Sequence, residues 1–226
     1  MLQLIEIHGF RTICEVGFNG GHSAAAYLAA HRDIIVHSFD LGHYPYSHSS
    51  ASFLQSIYNR TAPHRLVMHW GSSQETVPAW SAEADHALCD LVLIDGGHTA
   101  EAVAADISNF RPLVNRSAAH AVLFDDTPPN TTWYSDATRA VSDAVKSGVL
   151  GIVDAWAFTA AELTVNAPLR LPQGSHYNRT TLLADPWGCT LAVYRKDDDD
   201  SDSVVSESAA SAEAEATSAA ASVGSA

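Results

Sequence analysis

A strand that runs into a glycine turn and then opens a helix constrains the fold of this chain more than any other stretch. The apolar residues at the start of 12–23 suit a buried parallel strand, and three glycines follow within the turn. Gly17, Gly20 and Gly21 let the backbone turn tightly and approach a ligand without a side chain in the way. The helix-forming run 23–30 then directs the free N–H groups at its start toward that ligand. The stretch therefore predicts a nucleotide-binding turn in an α/β protein.

The spacing of the turn residues bears on which ligand binds. A dinucleotide fingerprint requires Gly-x-Gly-x-x-Gly, and Asn19 stands at its second glycine position, which disfavours a nicotinamide-dependent oxidoreductase but leaves it as an alternative. Glu15 is instead followed by Gly17 and Gly21. This pattern resembles motif I of the class I S-adenosylmethionine-dependent methyltransferases, whose glycine loop passes beside the methionine and ribose portions of the cofactor. The resemblance implies cofactor-binding positions at Glu15, Gly17, Asn19, Gly21 and Ser23.

Charge and hydropathy exclude several classes of partner. The net charge is −14, and the 12 Lys and Arg residues are scattered, which argues against a nucleic acid bound through its phosphates. No apolar run reaches the roughly 18 residues that a membrane span needs, and the N-terminus lacks a secretion segment. We expect a cytoplasmic protein, although a targeting or covering segment could precede the first strand. The sequence does not determine the oligomeric state, and it is compatible with a homo-oligomer.

The three cysteines lie in apolar, strand-like runs. Cys14, Cys89 and Cys189 show no metal-ligand spacing, and their number is odd. We therefore expect reduced cysteines in the core.

Strands and helices alternate along the rest of the chain. Further strands are predicted at 34–40, 65–70, 89–94, 119–124, 149–158 and 189–194, with helices over about 50–58, 71–78, 99–113 and 135–146. A long irregular link, 160–187, precedes the last strand, which suits an antiparallel return better than a right-handed crossover through a helix. The methyltransferase resemblance implies a Rossmann-like fold: a mostly parallel seven-stranded sheet with an antiparallel last strand and helices on both faces.

Two units are expected. Residues 1–195 form the cofactor-binding domain, and 196–226 form a disordered acidic tail rich in Ser and Ala, which carries half of the net charge.

Acidic and hydroxyl residues follow the second and third strands. Asp40 ends the second strand 19 residues beyond Gly21, a position that meets a ribose in doubly wound sheets, although a strand-end Asp can also cap the next turn. The methyltransferase resemblance implies that the adenine lies near Ser72 and Ser73. The aromatic segment 43–48 is either a lid over the substrate or a packed surface turn.

Three carboxylates mark the ends of the fourth and fifth strands. Asp95 follows the fourth strand, and Asp125 and Asp126 follow the fifth. Because parallel strands end at one edge of a sheet, we expect these groups to converge beside the methyl group of the cofactor, with Asp95 as a cofactor-binding residue as well. An all-oxygen cluster of this charge suits Mg²⁺, which would help a hydroxyl lose its proton. His98, with an ordinary pKa of about 6.5, could take that proton as a general base.

The paired motifs sharpen the resemblance. A strand followed by Asp-Gly-x-His and a helix, then a strand ending in two acids, is similar to the metal-dependent small-molecule O-methyltransferases (methyltransferase family 24) related to those that act on macrolide sugars. The resemblance implies Mg²⁺ held by Asp95, Asp125 and Asp126, with His98 as base and a small-molecule hydroxyl as acceptor. Each of these residues also has a structural alternative: Asp95 could be a turn residue, His98 could be part of a helix cap, and the acid pair could cap the next element. For the whole chain, the alternative is a catalytically inactive binding protein that keeps this fold.

Overall fold

A computed structural model describes residues 1–60, 62–83, 86–127, 135–158 and 187–196. Residues up to Arg195 group into one compact unit. No helix in this described part of the chain is long and apolar enough to cross a membrane.

The strands and helices alternate as the sequence predicts. The strands are β1 Thr12–Val16, β2 Ile35–Asp40, β3 Leu66–Trp70, β4 Leu91–Ile94, β5 Ala121–Phe124, β6 Leu150–Phe158 and β7 Trp187–Tyr194. The helices are α1 Leu2–His8, α2 His22–Ala30, α3 Pro45–Tyr58, α4 Ser73–Ser81, α5 Ala100–Phe110 with a 3₁₀ turn at Arg111–Leu113, and α6 Ser135–Lys146.

The strands form one seven-stranded sheet in the order β3-β2-β1-β4-β5-β7-β6. The pairs from β3 across to β5 are parallel, whereas β7 runs antiparallel to both β5 and β6. The predicted fold class, including the antiparallel last strand, is confirmed. The chain reverses its direction of strand addition between β1 and β4, and such a switch point leaves a crevice outside the carboxyl ends of the strands.

The sheet separates two apolar layers, and the side chains of β1 contribute to both of them. Its side chains alternate between the faces, as in any strand. Ile13 packs into the layer covered by α1, α2 and α3, whereas Cys14 and Val16 pack into the layer covered by α4, α5 and α6. Because β4 and β5 are buried on both faces, they read as continuous apolar runs in the sequence, whereas the buried strand β1 also carries Glu15.

The structure differs from the expectation near the N-terminus and after β2. Helix α1 precedes the first strand and buries Ile5, a packing helix that the sequence analysis did not anticipate. Helix α3 begins at Pro45, so most of the segment 43–48 is helical; proline suits a first helical turn because its missing N–H needs no partner there. The predicted link up to residue 186 and the predicted tail from residue 197 lie outside the described residues.

The expectation of three reduced cysteines is wrong for Cys14 and Cys89. These two residues form a disulfide, with their Cα atoms 5.8 Å apart, a spacing that the bond allows. They meet because β1 and β4 are neighbours in the sheet, and Cys89 lies just ahead of β4. Cys189 is a free thiol, as expected. The distance along the chain hides the pairing, since the two partners are separated by 75 in sequence number.

The disulfide is expected to stabilise the fold. Reducing it should lower the free energy of unfolding by about 4 kcal/mol, because the reduced unfolded chain regains the freedom that a long closed loop removes. Urea unfolding with and without a phosphine reductant measures the difference. The double variant Cys14→Ala/Cys89→Ala is the control, and the reductant should not change its stability. Three titratable thiols in the unreduced, denatured protein, instead of the one from Cys189, would contradict the bond.

Candidate active site

The glycine turn brings the end of β1 against the end of β4. Gly17 has a φ of +99°, and a Cβ atom there would lie 2.0 Å from the carbonyl oxygen of Asp95. The backbone N–H of Asp95 donates a hydrogen bond to the carbonyl oxygen of Val16 at 3.0 Å. Only glycine permits both the positive φ and this backbone contact. The contact fixes the turn beside the first of the three predicted carboxylates.

Glu15 supports the turn from within the sheet. Its side chain is fully buried and accepts hydrogen bonds from the hydroxyls of Ser23 at 2.5 Å and Ser38 at 2.8 Å. Burial raises the pKa of Glu15 to about 7, even though these two bonds favour the charged form. The acidic residue of the motif therefore joins β1, β2 and the start of α2.

A cavity of about 500 Å³ opens at the carboxyl edge of the sheet, above the turn. Its volume is in the range of small-molecule and cofactor sites. Seven of the predicted site residues line it: Gly17, Asn19, Asp40, Ser72, Ser73, Asp95 and His98. Three predicted cofactor-binding residues do not line it: Glu15 and Ser23 bond to each other, and Gly21, with a φ of +77°, packs against Phe18 and Leu54 at the start of α2. These three have supporting positions.

Asp40 lines the cavity and is held by backbone donors. The N–H groups of Asn19 and Gly42 donate to its two carboxylate oxygens, at 2.9 and 2.7 Å. Asn19 has a φ of +49°, a conformation that asparagine tolerates, and its side-chain oxygen accepts from the hydroxyl of Tyr46 at 2.6 Å. Helix α3 thereby helps to fix the glycine turn and the carboxylate together.

The three acids and the histidine lie at the same edge. Asp95 and Asp125 line a small cavity of about 10 Å³ together with His98. Nδ1 of His98 lies 3.4 Å from Oδ2 of Asp126. Burial, then the charges of Asp125, Asp126 and Glu15, raise the pKa of Asp95 to about 7. Burial and Asp125 also raise the pKa of Asp126, with His98 opposing them.

His98 does not cap the helix that follows it. The cap of α5 is Thr99, whose hydroxyl accepts from the N–H of Ala102 at 3.2 Å. The His98 side chain is half exposed. It therefore remains at the cavity, beside Asp126.

The residues of this edge fit a hard cation in their chemistry but are not arranged around one. Within the described residues, no group of three His, Cys, Asp or Glu side chains is placed to hold a metal ion. The donors are nevertheless all carboxylate oxygens. Burial and then the charges of the neighbouring acids raise the pKa of Asp95 and Asp126, and a cation would offset the repulsion among them. The small cavity between Asp95 and Asp125 is about the size of one water molecule. A magnesium site stays a prediction.

Two residues of this site were missed by the sequence analysis. Tyr46 lies in the aromatic segment 43–48, where neither its position nor its composition indicates a contact with Asn19. Cys189 reads as a core residue of the last strand, yet its thiol donates to Oδ1 of Asp125 at 3.1 Å. Burial and this hydrogen bond raise the pKa of the thiol to about 12. Both contacts join residues far apart in the chain.

Comparison with known proteins places the chain among methyltransferase folds. A family model for a methyltransferase domain (Methyltransf_24) matches residues 14–127, from the glycine-turn strand to the end of the acidic pair. No curated protein sequence matches the chain.

Solved structures resemble the described fold at low sequence identity. CalS11, a TDP-rhamnose 3′-O-methyltransferase of calicheamicin biosynthesis, is 18% identical, with a TM-score of 0.52 over 83% of this chain and 74% of its own. A putative caffeoyl-CoA O-methyltransferase from Staphylococcus aureus is 12% identical, with a TM-score of 0.55 over 86% and 80%. The methyltransferase PaMTH1 from Podospora anserina, solved with S-adenosylhomocysteine, is 13% identical, with a TM-score of 0.56 over 86% and 76%.

The buried Glu15 predicts a stability that depends on pH. The folded state keeps a proton on Glu15 up to about pH 7, whereas the unfolded chain releases it near the ordinary pKa of 4.5. The folded state thus binds more protons in this window, so stability should fall as the pH rises from 4.5 to 7. Glu15→Gln should remove on the order of 3 kcal/mol of this fall. Urea unfolding at several pH values measures the slope.

The control for this prediction is Glu6→Gln, at an exposed carboxylate of α1. Its slope should equal that of the wild type, in which Asp95 and Asp106, whose pKa values are also raised, contribute in the same direction. An unchanged slope in Glu15→Gln would show that Glu15 is not protonated in the folded state.

Proposed function

Because this chain belongs to the methyltransferase family whose domain it matches over residues 14–127, with S-adenosylmethionine as methyl donor, we propose that it methylates a hydroxyl oxygen of a small molecule. The observation that carries the proposal is the common edge: Asp95 and His98 line the cavity that begins at the glycine turn. Asp125 lines a small second cavity with these two residues, and Asp126 lies beside His98. A base beside a methyl donor suits acceptors that must first lose a proton. The similarity to CalS11, a TDP-rhamnose 3′-O-methyltransferase, supports this class of acceptor.

The lining of the cavity supports one orientation of the cofactor. The carboxylate of Asp40 would accept hydrogen bonds from the ribose hydroxyls, and backbone donors already hold it in the lining of the cavity. The adenine would lie toward Ser72 and Ser73. The methionine portion would then follow the turn at Gly17, which directs the sulfonium methyl toward Asp95 and His98.

The chain's own residues then have distinct tasks in methyl transfer. His98 takes the proton of the acceptor hydroxyl. Asp126, 3.4 Å from Nδ1, stabilises the imidazolium that forms. The oxygen attacks the methyl carbon in line with the sulfur, and the C–S bond breaks to leave S-adenosylhomocysteine. Alignment of the two reactants in the cavity supplies much of the rate.

A second part of the proposal is that the site binds Mg²⁺. Asp95, Asp125 and Asp126 would hold the ion, after side-chain adjustments from the arrangement seen in the structure. When bound, the ion would lower the pKa of the acceptor hydroxyl and offset the repulsion among the carboxylates. The raised pKa values of Asp95 and Asp126 support a cation at this edge.

The first test removes the base. His98→Ala should lower kcat about a hundredfold or more, because general base catalysis contributes at least that much, while the affinity for S-adenosylhomocysteine stays within about twofold. Radiolabelled methyl transfer to a nucleotide sugar and to a catechol measures kcat, and calorimetry measures affinity. His8→Ala, at an exposed position on α1, is the control. Full activity in His98→Ala would exclude His98 as base, and folded wild-type protein that binds no cofactor would remove the whole proposal.

The second test removes divalent cations. Treatment with a chelator should lower turnover at least tenfold, and added Mg²⁺ should restore it, because a bound cation stabilises the deprotonated acceptor. Calorimetry of S-adenosylhomocysteine should be nearly unaffected by the chelator. If neither the chelator nor added Mg²⁺ changes turnover, the metal part of the proposal is wrong, and methyl transfer with His98 as base remains.

A further inference from the structure

The last strand of the sheet supplies side-chain contacts to the loop that carries the acidic pair. Strand β7 runs antiparallel to β5, with Phe124 and Thr190 in register. The antiparallel course places Cys189 beside Asp125, and the Cys189 thiol donates to Oδ1 of that carboxylate at 3.1 Å. One position further along β7, the hydroxyls of Thr190 and Thr127 are hydrogen-bonded at 2.9 Å.

The Asp125 carboxylate is fixed by two donors on one oxygen. Besides the Cys189 thiol, the backbone N–H of Asp126 donates to Oδ1 at 2.9 Å. Within the described part of the chain, Oδ2 receives no hydrogen bond, and the residue lines the small cavity with Asp95 and His98. Two donors on one oxygen restrict rotation of the carboxylate, so the thiol helps to decide which oxygen is presented to the cavity.

The chemistry of Cys189 suits a donor better than a reactive group. The other two cysteines of the chain are joined to each other, so this thiol has no disulfide partner in the chain. A thiol S–H is a hydrogen-bond donor that a carboxylate oxygen can accept, as the Cys189–Asp125 contact shows. Its neighbours are acids, which disfavour the thiolate that nucleophilic chemistry would need.

We propose that Cys189 is a positioning residue for methyl transfer, whose S–H orients the Asp125 carboxylate toward the small cavity that it shares with Asp95 and His98. The inference rests on the proposed function. It adds a residue of the antiparallel strand β7 to the site residues that follow the parallel strands. Cys189 acts through Asp125 and does not itself contact the reacting atoms.

The test compares Cys189→Ala with Cys189→Ser. The alanine variant should lower kcat about tenfold, because a misdirected carboxylate impairs alignment, while KM for S-adenosylmethionine changes by less than about twofold. The serine variant, whose hydroxyl can donate to the same oxygen, should recover most of the lost kcat. Ile152→Ala, at an exposed position on the neighbouring strand β6, serves as control and should match the wild type. Urea unfolding of each variant separates loss of stability from loss of turnover.

A double-mutant cycle with Asp125→Asn shows whether the two residues act together. If the thiol works through Asp125, Cys189→Ala should cost little further kcat in the Asp125→Asn background. Wild-type kcat in Cys189→Ala, equal losses in the alanine and serine variants, or additive losses in the cycle would each overturn the inference while leaving the proposed function intact. A wild-type protein that transfers no methyl group to either acceptor would remove the proposed function and this inference with it.

Discussion

The close contact between the backbones at the ends of β1 and β4 is the constraint on which the rest of the site depends. Gly17 has no side chain, so the turn after β1 can lie against the carbonyl of Asp95. This contact joins two functions in space, since the turn shapes the cofactor cavity and Asp95 begins the acidic edge. Gly96 contributes in the same way, because a Cβ atom there would lie 2.6 Å from the Val16 side chain. The turn that shapes the cavity is therefore in direct contact with the segment that carries Asp95.

The site carries electrostatic costs that the fold tolerates. Glu15 is buried beneath the turn, and Asp95 and Asp126 are partly buried beside other acids, so burial and then the neighbouring charges raise the pKa of each. Carboxylates in these positions do not stabilise a protein at neutral pH, whereas perturbed acids in a cleft are typical of functional sites. The hydroxyl bonds to Glu15 and the histidine beside Asp126 offset part of the cost. The arrangement is thus better explained by chemistry at the cavity than by stability.

The sequence predicts the parts of the fold that local patterns determine. Buried parallel strands read as continuous apolar runs, and acids that follow them must lie at one edge, so the meeting of Asp95 with Asp125 could be anticipated. Contacts that depend on tertiary distance could not. The disulfide between Cys14 and Cys89, the bond from Tyr46 to Asn19 and the helix α1 all follow from packing, which leaves no local signal.

The acidic motif residue shows a different limit of sequence reasoning. The spacing of Glu15 relative to the glycines indicates that it belongs to the cofactor motif, but spacing does not reveal which way a side chain points. In a strand, neighbouring side chains face opposite sides, and the structure directs this one to the hydroxyls of Ser23 and Ser38. Its part in the site is to hold the turn in place.

A crystal structure of the protein with S-adenosylhomocysteine tests the central claim most directly. The account requires one shared site, with the ribose at Asp40, the adenine toward Ser72 and the sulfur directed toward Asp95 and His98. Electron density for the ligand in that orientation, within the cavity above Gly17, is the predicted result. A ligand bound elsewhere, or one whose sulfur faces away from the acidic edge, would contradict the account, because the donor and the base would then be separated.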